Sequence, residues 1–530
     1  MAVPRWNPAP DVMPQEEWLL QRLNTKRKLF RFLRLYRHEL FDEAFQTELE
    51  AMYRDTGAGK EPIPPALMAM AVLLQGYDRL SDAEAVEHTV MDLRWQLVLG
   101  RLGATKPAFS QGALFDFRHR LIHHEMDRRL LERTVELARR TKEFDWKKLP
   151  TSLRVAVDSA PLEGAGRVED TFNLLGHAAR MVVACVATRI DWSPERVCTE
   201  AGIPVLLEAS VKKALDVDWT NPEQKAEALQ TLLGQLDALE RWIGRHLPVH
   251  ASEPPLRTSL ETLRQIIAQD LEPDPNGGGR KRIRQGVAPE RRISIRDPEM
   301  RHGRKSKSQR INGYKRHIAS DLDTDLIVGC AVTPANRPEG EAAPVLRADL
   351  ERQRLPLGEL YIDRAYLNSE LVDVTLGLGG DVFCRPWAAQ NTNNRTFTKA
   401  DFHFDMRART VTCPAGQTQP FQLGTVVEFD AATCDGCAVR SQCTTASLGH
   451  GRLLRVRDDE NLQHRLRQQS RTKQGRARLR KRVAIEHRLA HIVRRQGPRA
   501  RYFGTRVNLF DLRRAATLQN LETIQRKMAA

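Results

Sequence analysis

Two short runs of β-branched and apolar residues, each leading into an aspartate, constrain the fold of this chain more than any other feature. The first run covers residues 154–159 and carries Asp158, and the second covers residues 360–363 and ends on Asp363. Runs of this length and composition predict buried strands, whose ends hold a side chain in a fixed position. A lone acid after a strand is more often a helix cap or a turn residue, so neither aspartate identifies a site by itself.

Other strand patterns accompany these two runs. Residues 314–320 and 326–332 flank a polar segment at 321–325, which indicates a hairpin. A helix is predicted near residues 341–353 and a further strand at residues 382–384. Strands that alternate with a helix in this way predict a mixed α/β sheet.

The 530 residues are too many for one compact core, so we expect several domains. Residues 1–147 predict a helical N-terminal domain, with a capping box at Ser81 and Glu84 and a helix cap at Ser110. A helical bundle with a basic helix suits nucleic-acid binding, and a packing or dimerisation domain is the alternative. Residues 148–530 predict the sheet domain, interrupted by a helical and linker insertion at 192–290 and a cysteine-rich segment at 395–450.

Positive charge is concentrated in two stripes. Residues 280–316 contain 14 Lys or Arg and 3 Asp or Glu, and residues 452–506 contain 18 and 4, against a net charge of +16 for the whole chain. Two stripes thus carry the entire positive balance, which favours a polyanionic partner such as nucleic acid. A solvated charged loop remains the alternative, above all for residues 280–296.

The sequence contains no apolar leader and no long apolar run. Asp11, Glu16 and Glu17 lie within the first twenty residues, and the apolar stretches at 181–187 and 326–332 are too short to span a bilayer. We therefore expect a cytoplasmic protein with no membrane partner.

A third acid, Glu486, lies in a helical pattern within the second basic stripe. Val483, Glu486, Ala490 and Val493 are spaced three, four and three residues apart, so they share one helix face. A carboxylate on an apolar face needs a partner, because an unpaired buried charge is costly. Arg482 offers a structural ion pair, a metal ion offers a functional one, and Arg482 is alternatively free to contact a DNA phosphate.

Four of the eight cysteines cluster between residues 413 and 443. Cys413, Cys434, Cys437 and Cys443 have the spacing C-x20-C-x2-C-x5-C, in which the central C-x2-C is a common tetrahedral chelate. We expect a structural Zn2+ site here, with reduced buried or surface cysteines as the alternative and His450 as another possible ligand. The other cysteines have the character of small core residues.

At the three acids the sequence resembles the DDE transposases of bacterial insertion sequences, and it is most similar to a subgroup with a cysteine-rich segment between the second and third acids. The similarity extends over nearly the whole chain. It is carried by several ordered segments: Val-Ala-Val-Asp158-Ser-Ala, Gly164-Ala-Gly-Arg-Val-Glu-Asp-Thr171, Arg301-His-Gly-Arg-Lys-Ser-Lys307, Tyr361-Ile-Asp363-Arg-Ala-Tyr366, Arg482-x3-Glu486 and Arg494-Arg-Gln-Gly-Pro-Arg-Ala-Arg-Tyr502.

The resemblance implies an α/β, RNase H-like mixed-sheet catalytic domain with helical additions. It implies that Asp158, Asp363 and Glu486 are the catalytic residues and hold Mg2+ or Mn2+ for cleavage at transposon ends and strand transfer into target DNA. The partner is then double-stranded DNA, and a homodimer or larger assembly forms in the synaptic complex. The protein is expected in the bacterial cytoplasm and, when bound to DNA, on the nucleoid. The candidate DNA-contacting residues are Arg304, Lys305, Lys307, Lys315, Arg316, Arg482, Arg494 and Arg495.

The chain departs from the family pattern at two positions. Leu479 stands where the family often has a tyrosine, and Val493 stands where it often has a basic residue. Asp170, Asp321 and Asp325 compete as acids, although turn or capping roles suit them better. A non-catalytic DNA-binding repressor derived from a transposase and a metal-dependent nuclease are the alternative functions.

Overall fold

The computed structural model describes residues 3–53, 61–141, 151–275, 277–305, 308–388 and 397–528. The described part before residue 142 is helical, as the sequence predicts. Its helices are α1 (Pro14–Leu23), α2 (Lys28–Leu40), α3 (Glu43–Glu50), α4 (Pro65–Asp78), α5 (Asp82–Met91), α6 (Leu93–Leu99), α7 (Gln111–His123) and α8 (Met126–Arg140).

Both predicted helix starts in this region are confirmed. The Ser81 hydroxyl accepts a hydrogen bond from the Glu84 backbone while the Glu84 carboxylate accepts one from the Ser81 backbone, and Ser110 caps α7. The basic character of α7 is partly used in packing, because Arg118 is buried against Asp82 at 2.7 Å. Its surface is therefore less basic than its sequence indicates.

Strand β1 (Leu153–Glu163) begins the sheet, and the chain then leaves it for a helical insertion with a core of its own. That core includes Phe172, so the insertion begins before the predicted residue 192. Its elements are α9 (Thr171–Ile190), α10 (Pro194–Glu200), α11 (Val211–Leu215), α12 (Pro222–His246), α13 (Leu256–Asp270), β2 (Leu271–Pro273) and β3 (Lys281–Ile283). Within the described residues, α9 alone has the length and apolarity to cross a membrane, and 61% of its most apolar window is buried in the protein.

The remaining strands of the sheet follow the insertion. The elements are β4 (Arg301–Arg304), β5 (Arg310–Asp321), β6 (Ile327–Pro334), α14 (Ala343–Glu351), β7 (Leu357–Tyr361), α15 (Glu370–Gly377) and β8 (Asp381–Phe383). The strand order is β6-β5-β1-β7-β8, and β4 also pairs with β5. Strand β5 runs antiparallel to β1 and β6, whereas β1, β7 and β8 are parallel, so the predicted mixed α/β sheet is confirmed.

The cysteine-rich segment forms small antiparallel sheets around a cluster of phenylalanines. Its elements are β9 (His403–Asp405), β10 (Thr410–Thr412), β11 (Thr418–Pro420), β12 (Val426–Glu428), α16 (Ala431–Asp435), α17 (Arg440–Cys443) and β13 (Leu453–Arg455). Phe402, Phe404, Phe421 and Phe429 are buried at its centre.

The second basic stripe contains three helices, α18 (Glu460–Arg471), α19 (Lys473–Arg480) and α20 (Val483–Gln496), which are followed by α21 (Thr505–Met528). Helix α21 is buried on nearly all sides from Asn508 to Ile524, because the N-terminal helices pack on one side of it and the sheet on the other.

Side chains along β1 alternate between the two faces of the sheet, so neighbouring residues pack against different elements. Val155 and Val157 pack into the core shared with the N-terminal helices, and Ala156 and Ala160 pack against α20 and α21. Because successive side chains on a strand point to opposite faces, Asp158 lies on the face covered by α20. The fold thus brings Asp158 and the helix that carries Glu486 together.

Candidate active site

Asp158 and Asp363 are positioned by neighbouring parallel strands. Ala156 of β1 pairs with Tyr361 of β7, so the two aspartates occupy equivalent positions two residues farther along each strand. Contrary to the prediction, β1 does not end at Asp158 but continues to Glu163, paired with β5 and with the segment around Arg499. The pairing with β7 does end at Ala156, so the sheet opens beside the two acids.

Arg482 connects Asp158 to Glu486. Its Nη1 lies 3.1 Å from Asp158 Oδ2, and its Nη2 lies 2.7 Å from Glu486 Oε1. Residues 482 and 486 are one helical turn apart, so one guanidinium reaches both its own helix and the strand below it. This ion pair is the structural partner that the sequence offered for Glu486.

The buried face of α20 differs from the predicted one. Ile485, Leu489 and Ile492 face the core, whereas the Glu486 side chain is 49% exposed and Val483 is also exposed. The prediction that Glu486 interrupts a buried apolar face is therefore wrong. Its carboxylate instead faces open space beside Asp158 and Asp363.

The acids share one electrostatic environment. Burial raises the pKa of Asp158, and the charges of Asp363 and Glu486 raise it further, against the opposing effects of the Ser159 backbone and Arg482. Burial also raises the pKa of Asp363, and the nearby Glu339 carboxylate adds to the effect. Concentrated negative charge of this kind favours a bound cation.

A cavity of about 830 Å³ opens above Asp363 and Glu486. Five arginines line it together with these acids: Arg364, Arg385, Arg476, Arg480 and Arg482. Of these five arginines, only Arg482 is among the DNA contacts that the sequence predicts. A usable signal was present for Arg476 and Arg480, which are four residues apart on α19 within the second basic stripe and hence share a helix face. Guanidinium groups beside carboxylates suit a phosphodiester substrate that is held next to a cation.

A buried polar network lies beneath the acids and was also missed. The ring nitrogens of His317 lie 2.7 Å from the Tyr366 hydroxyl and 2.9 Å from the Thr333 hydroxyl. Complete burial lowers the pKa of His317 to about 3, so the ring is neutral and offers one donor and one acceptor. Since His317 pairs with Ser159 in the sheet and Tyr366 follows Asp363 in a tight turn, the network connects the supports of both aspartates.

The candidate DNA-contacting residues differ in how exposed their side chains are. Arg304, Lys305 and Arg494 are exposed, and Lys307 lies outside the described residues. The prediction for Arg316 is wrong: it is fully buried and donates to Pro161 O, Gly497 O and Gln496 Oε1, so no phosphate reaches it.

Two further candidates are largely occupied. Lys315 donates to Arg337 O at 2.8 Å with little exposure, and Arg495 pairs with Glu522 at 2.6 Å. Much of the first basic stripe has intramolecular partners as well, since Arg291 pairs with Asp270 of the insertion. Arg280 and Arg282 likewise pair with Glu227 and Glu272, so part of that stripe is used in intramolecular ion pairs.

The competing acids have structural roles. Asp170 caps α9 and pairs with Lys212, and Asp321 accepts a hydrogen bond from the Thr324 backbone in the β5–β6 turn. Asp325 in the same turn pairs with Arg488. The capping and turn roles expected for them are confirmed.

The four clustered cysteines converge in the fold. The pKa of Cys443 is raised, first by burial and then in part by Cys413, Cys434 and Cys437, which places all four thiols in one neighbourhood. Within the described ranges, however, no set of three His, Cys, Asp or Glu side chains forms a ready-made metal site, either here or at the three acids. The donor types fit in both places, with carboxylates for Mg2+ and thiolates for Zn2+.

Two family models match the chain. The model described as Transposase domain (DUF772) matches residues 19–120, which contain helices of the N-terminal region, and the model described as Transposase DDE domain matches residues 412–525, which contain the clustered cysteines and Glu486. Asp158 and Asp363 lie outside both ranges. No curated protein and no solved structure matches the chain. The two matches nevertheless agree with each other and with the acid-lined site, and together they support a DDE transposase of insertion-sequence type.

Proposed function

We propose that this transposase cleaves DNA at transposon ends and transfers the freed strand into target DNA, with Asp158, Asp363 and Glu486 as the catalytic residues. The observation that carries the proposal is that Asp363 and Glu486 line an arginine-rich cavity and that Arg482, in the same lining, is bonded to Asp158 and Glu486. Acids from two strands and a helix, distant in sequence, meet where a phosphodiester has cationic groups to bind.

We further propose that the sheet and its covering helices form an RNase H-like catalytic domain. The strand order β6-β5-β1-β7-β8, with the antiparallel strands β4, β5 and β6 on one side of β1 and the parallel strands β7 and β8 on the other, supports this assignment. We also propose that the N-terminal helical region contributes to DNA binding and that two or more subunits act together, because transposition joins two ends.

Each group in the site has a role in the proposed reaction. The carboxylates of Asp158, Asp363 and Glu486 would hold Mg2+ or Mn2+, which activates the attacking oxygen and stabilises the leaving oxygen. Arg364, Arg385, Arg476 and Arg480 bind and orient the phosphates that flank the scissile bond. Arg482 balances the charge of Asp158 and Glu486 and is close enough to the cavity to exchange a carboxylate for a phosphate oxygen.

The test is an assay of nicking and joining on DNA that carries the ends of the element. The parent protein is expected to nick and join strands only with Mg2+ or Mn2+, and Glu486→Gln to lose both steps while it still binds DNA. Nicking without joining would indicate a metal-dependent nuclease, and binding without either step would indicate a repressor. Cleavage by Glu486→Gln at the parent rate would reject the assignment of this residue.

For the cysteine-rich segment we propose a structural Zn2+ held by Cys413, Cys434, Cys437 and Cys443. The packing of Cys413, Cys434 and Cys443 against one small phenylalanine core supports this, because a subdomain of short strands gains stability from a metal. Binding of the ion would deprotonate the thiols and tighten the cluster.

A further inference from the structure

A second basic surface lies on the outer side of α20, away from the arginine-lined cavity. It surrounds a depression of about 270 Å³ where the start of α2, the end of α4, α20 and the end of α21 meet. Its basic members are Arg27, Lys28, His491 and Arg526, and Arg494 and Arg495 adjoin it on α20. We call these six residues the α20 outer patch.

Most of the cations of this patch are available to a ligand. Lys28, Arg494 and Arg526 are exposed, and among the described residues they have no carboxylate partner within ion-pair distance. Glu522 is the acid in the wall of the depression, and it is paired with Arg495 at 2.6 Å. Arg27 is 55% exposed, and its nearest carboxylate, that of Asp78, is 3.9 Å away. The patch therefore has an uncompensated positive charge.

Tyr77 lies between two cations of the patch that come from different parts of the chain. The guanidinium of Arg27 lies 5.9 Å from the centre of the Tyr77 ring, and that of Arg495 lies 5.5 Å from it. The ring thus stands between a cation from the N-terminal region and one from α20. Contacts of this kind position the start of α2 beside α20 and make one continuous surface from separate parts of the chain.

Exposed residues of α20 connect the patch to the arginine-lined cavity. On the exposed side of the helix, Glu486, Ala490 and Arg494 follow one another at intervals of four residues, and no acid other than Glu486 occurs on that side. Arg494 stands about 12 Å from Glu486 along the helix axis. That distance corresponds to roughly three to four base pairs of duplex DNA.

We propose that the α20 outer patch binds the phosphate backbone of the DNA duplex beside the cleavage site. The inference rests on the proposed function. It adds that the N-terminal helical region contacts DNA at Arg27 and Lys28, where α2 begins. A phosphate backbone is the partner because the surface presents several exposed cations and because the carboxylate in its wall, Glu522, is already paired with Arg495. Arg495, which is paired with Glu522, and the ring of Tyr77 hold the patch together. The exposed cations contact the phosphates.

The salt dependence of DNA binding tests this proposal independently of catalysis. Binding of a mixed-sequence duplex is measured in EDTA, for the parent, for Lys28→Gln/Arg494→Gln and for the control Lys225→Gln/Arg245→Gln, which removes two exposed charges from α12 of the insertion. The patch variant is expected to reduce the slope of log K against log salt by about 2, and to weaken binding roughly fivefold per residue at about 0.15 M salt. A patch variant with the slope and affinity of the parent would overturn the proposal.

A second measurement uses the unmodified chain, so it does not depend on how a variant folds. Acetylation of Lys28 by a lysine-reactive reagent is expected to slow severalfold when the duplex is added, while acetylation of Lys225 is unchanged. Equal protection of both lysines, or of neither, would contradict a contact at the patch. Loss of cleavage in acid variants is assessed separately, so failure of the proposed chemistry and failure of the patch give different results.

Discussion

Asp158 and Asp363 stand at equivalent positions on two adjacent parallel strands, each two residues beyond the paired residues Ala156 and Tyr361. Their separation in the fold is set by the sheet, although 205 positions separate them in the sequence. The third acid, Glu486, comes from a helix that crosses the same face and is linked to Asp158 through Arg482. Two neighbouring strands and a helix packed on them therefore position the three acids.

Arg482 is expected to matter for activity much more than for stability. Replacement by Ala should lower strand cleavage about a hundredfold, because both carboxylates lose their shared cation, and Lys should restore part of it. The ion pairs are partly exposed, so the free energy of unfolding should change by less than about 1 kcal/mol. Cleavage rates and urea denaturation of the same preparations measure the two effects. A large loss of stability with Ala would show a structural role instead.

Stability is expected to depend on pH through His317. Its folded pKa of about 3 lies below the ordinary value of 6.5, so the unfolded chain binds a proton that the folded chain does not. The contribution of this residue is present above pH 6.5 and is lost as the pH falls, by about 1.4 kcal/mol per pH unit. Urea denaturation between pH 7 and pH 5 should give a flatter dependence for His317→Gln than for the parent. Equal slopes would contradict the neutral buried ring.

A buried ion network joins the N-terminal helices to the sheet. Arg513 of α21 lies 3.1 Å from Asp127 of α8 and 3.2 Å from Asp349 of α14, and all three side chains are buried. Asp127→Asn should lower the free energy of unfolding by about 3–5 kcal/mol, because it leaves part of a buried charge unpaired. The exposed Asp237→Asn on α12 is the control, with little change expected. Equal stability of the two variants in denaturant would show that the network contributes little.

The clustered cysteines predict the metal content of the purified protein. We expect about one Zn2+ per chain, and its loss when Cys434 and Cys437 are both replaced by Ser. Cys185→Ser, in the insertion, is the matched control and should keep the metal. Elemental analysis of the three proteins decides the matter. A parent protein purified without chelator and free of zinc would remove the zinc site from this account.

The sequence predicts local elements well because hydrophobic periodicity and helix caps are local. The strands at 314–320, 326–332, 360–363 and 382–384 are present with shifted ends. The length of β1 was underestimated, because its second half is fixed by pairing with β5 and by backbone bonds to Pro498 and Ala500. Those partners are distant in the sequence and leave no local pattern.

The errors at charged positions have the same origin. Arg316 and polar residues of α21 such as Arg513 and Asn520 have surface character in the sequence, yet they are buried with hydrogen-bond partners from other parts of the chain. The face of α20 that turns inward was misassigned for a related reason: Val483 and Ala490 are apolar but exposed, whereas Ile485 and Leu489 complete the core. Spacing alone does not decide between two apolar faces of one helix.

The claim that the acids bind a catalytic metal is tested most directly by changing the ligand and the metal together. Asp158→Cys replaces a carboxylate by a thiolate, which binds Mg2+ poorly and thiophilic ions such as Cd2+ or Zn2+ well. Strand cleavage by this variant should be lost in Mg2+ and regained, at least in part, when Cd2+ or Zn2+ is supplied, while DNA binding is unchanged. Cleavage in Mg2+ at the parent rate would contradict the account.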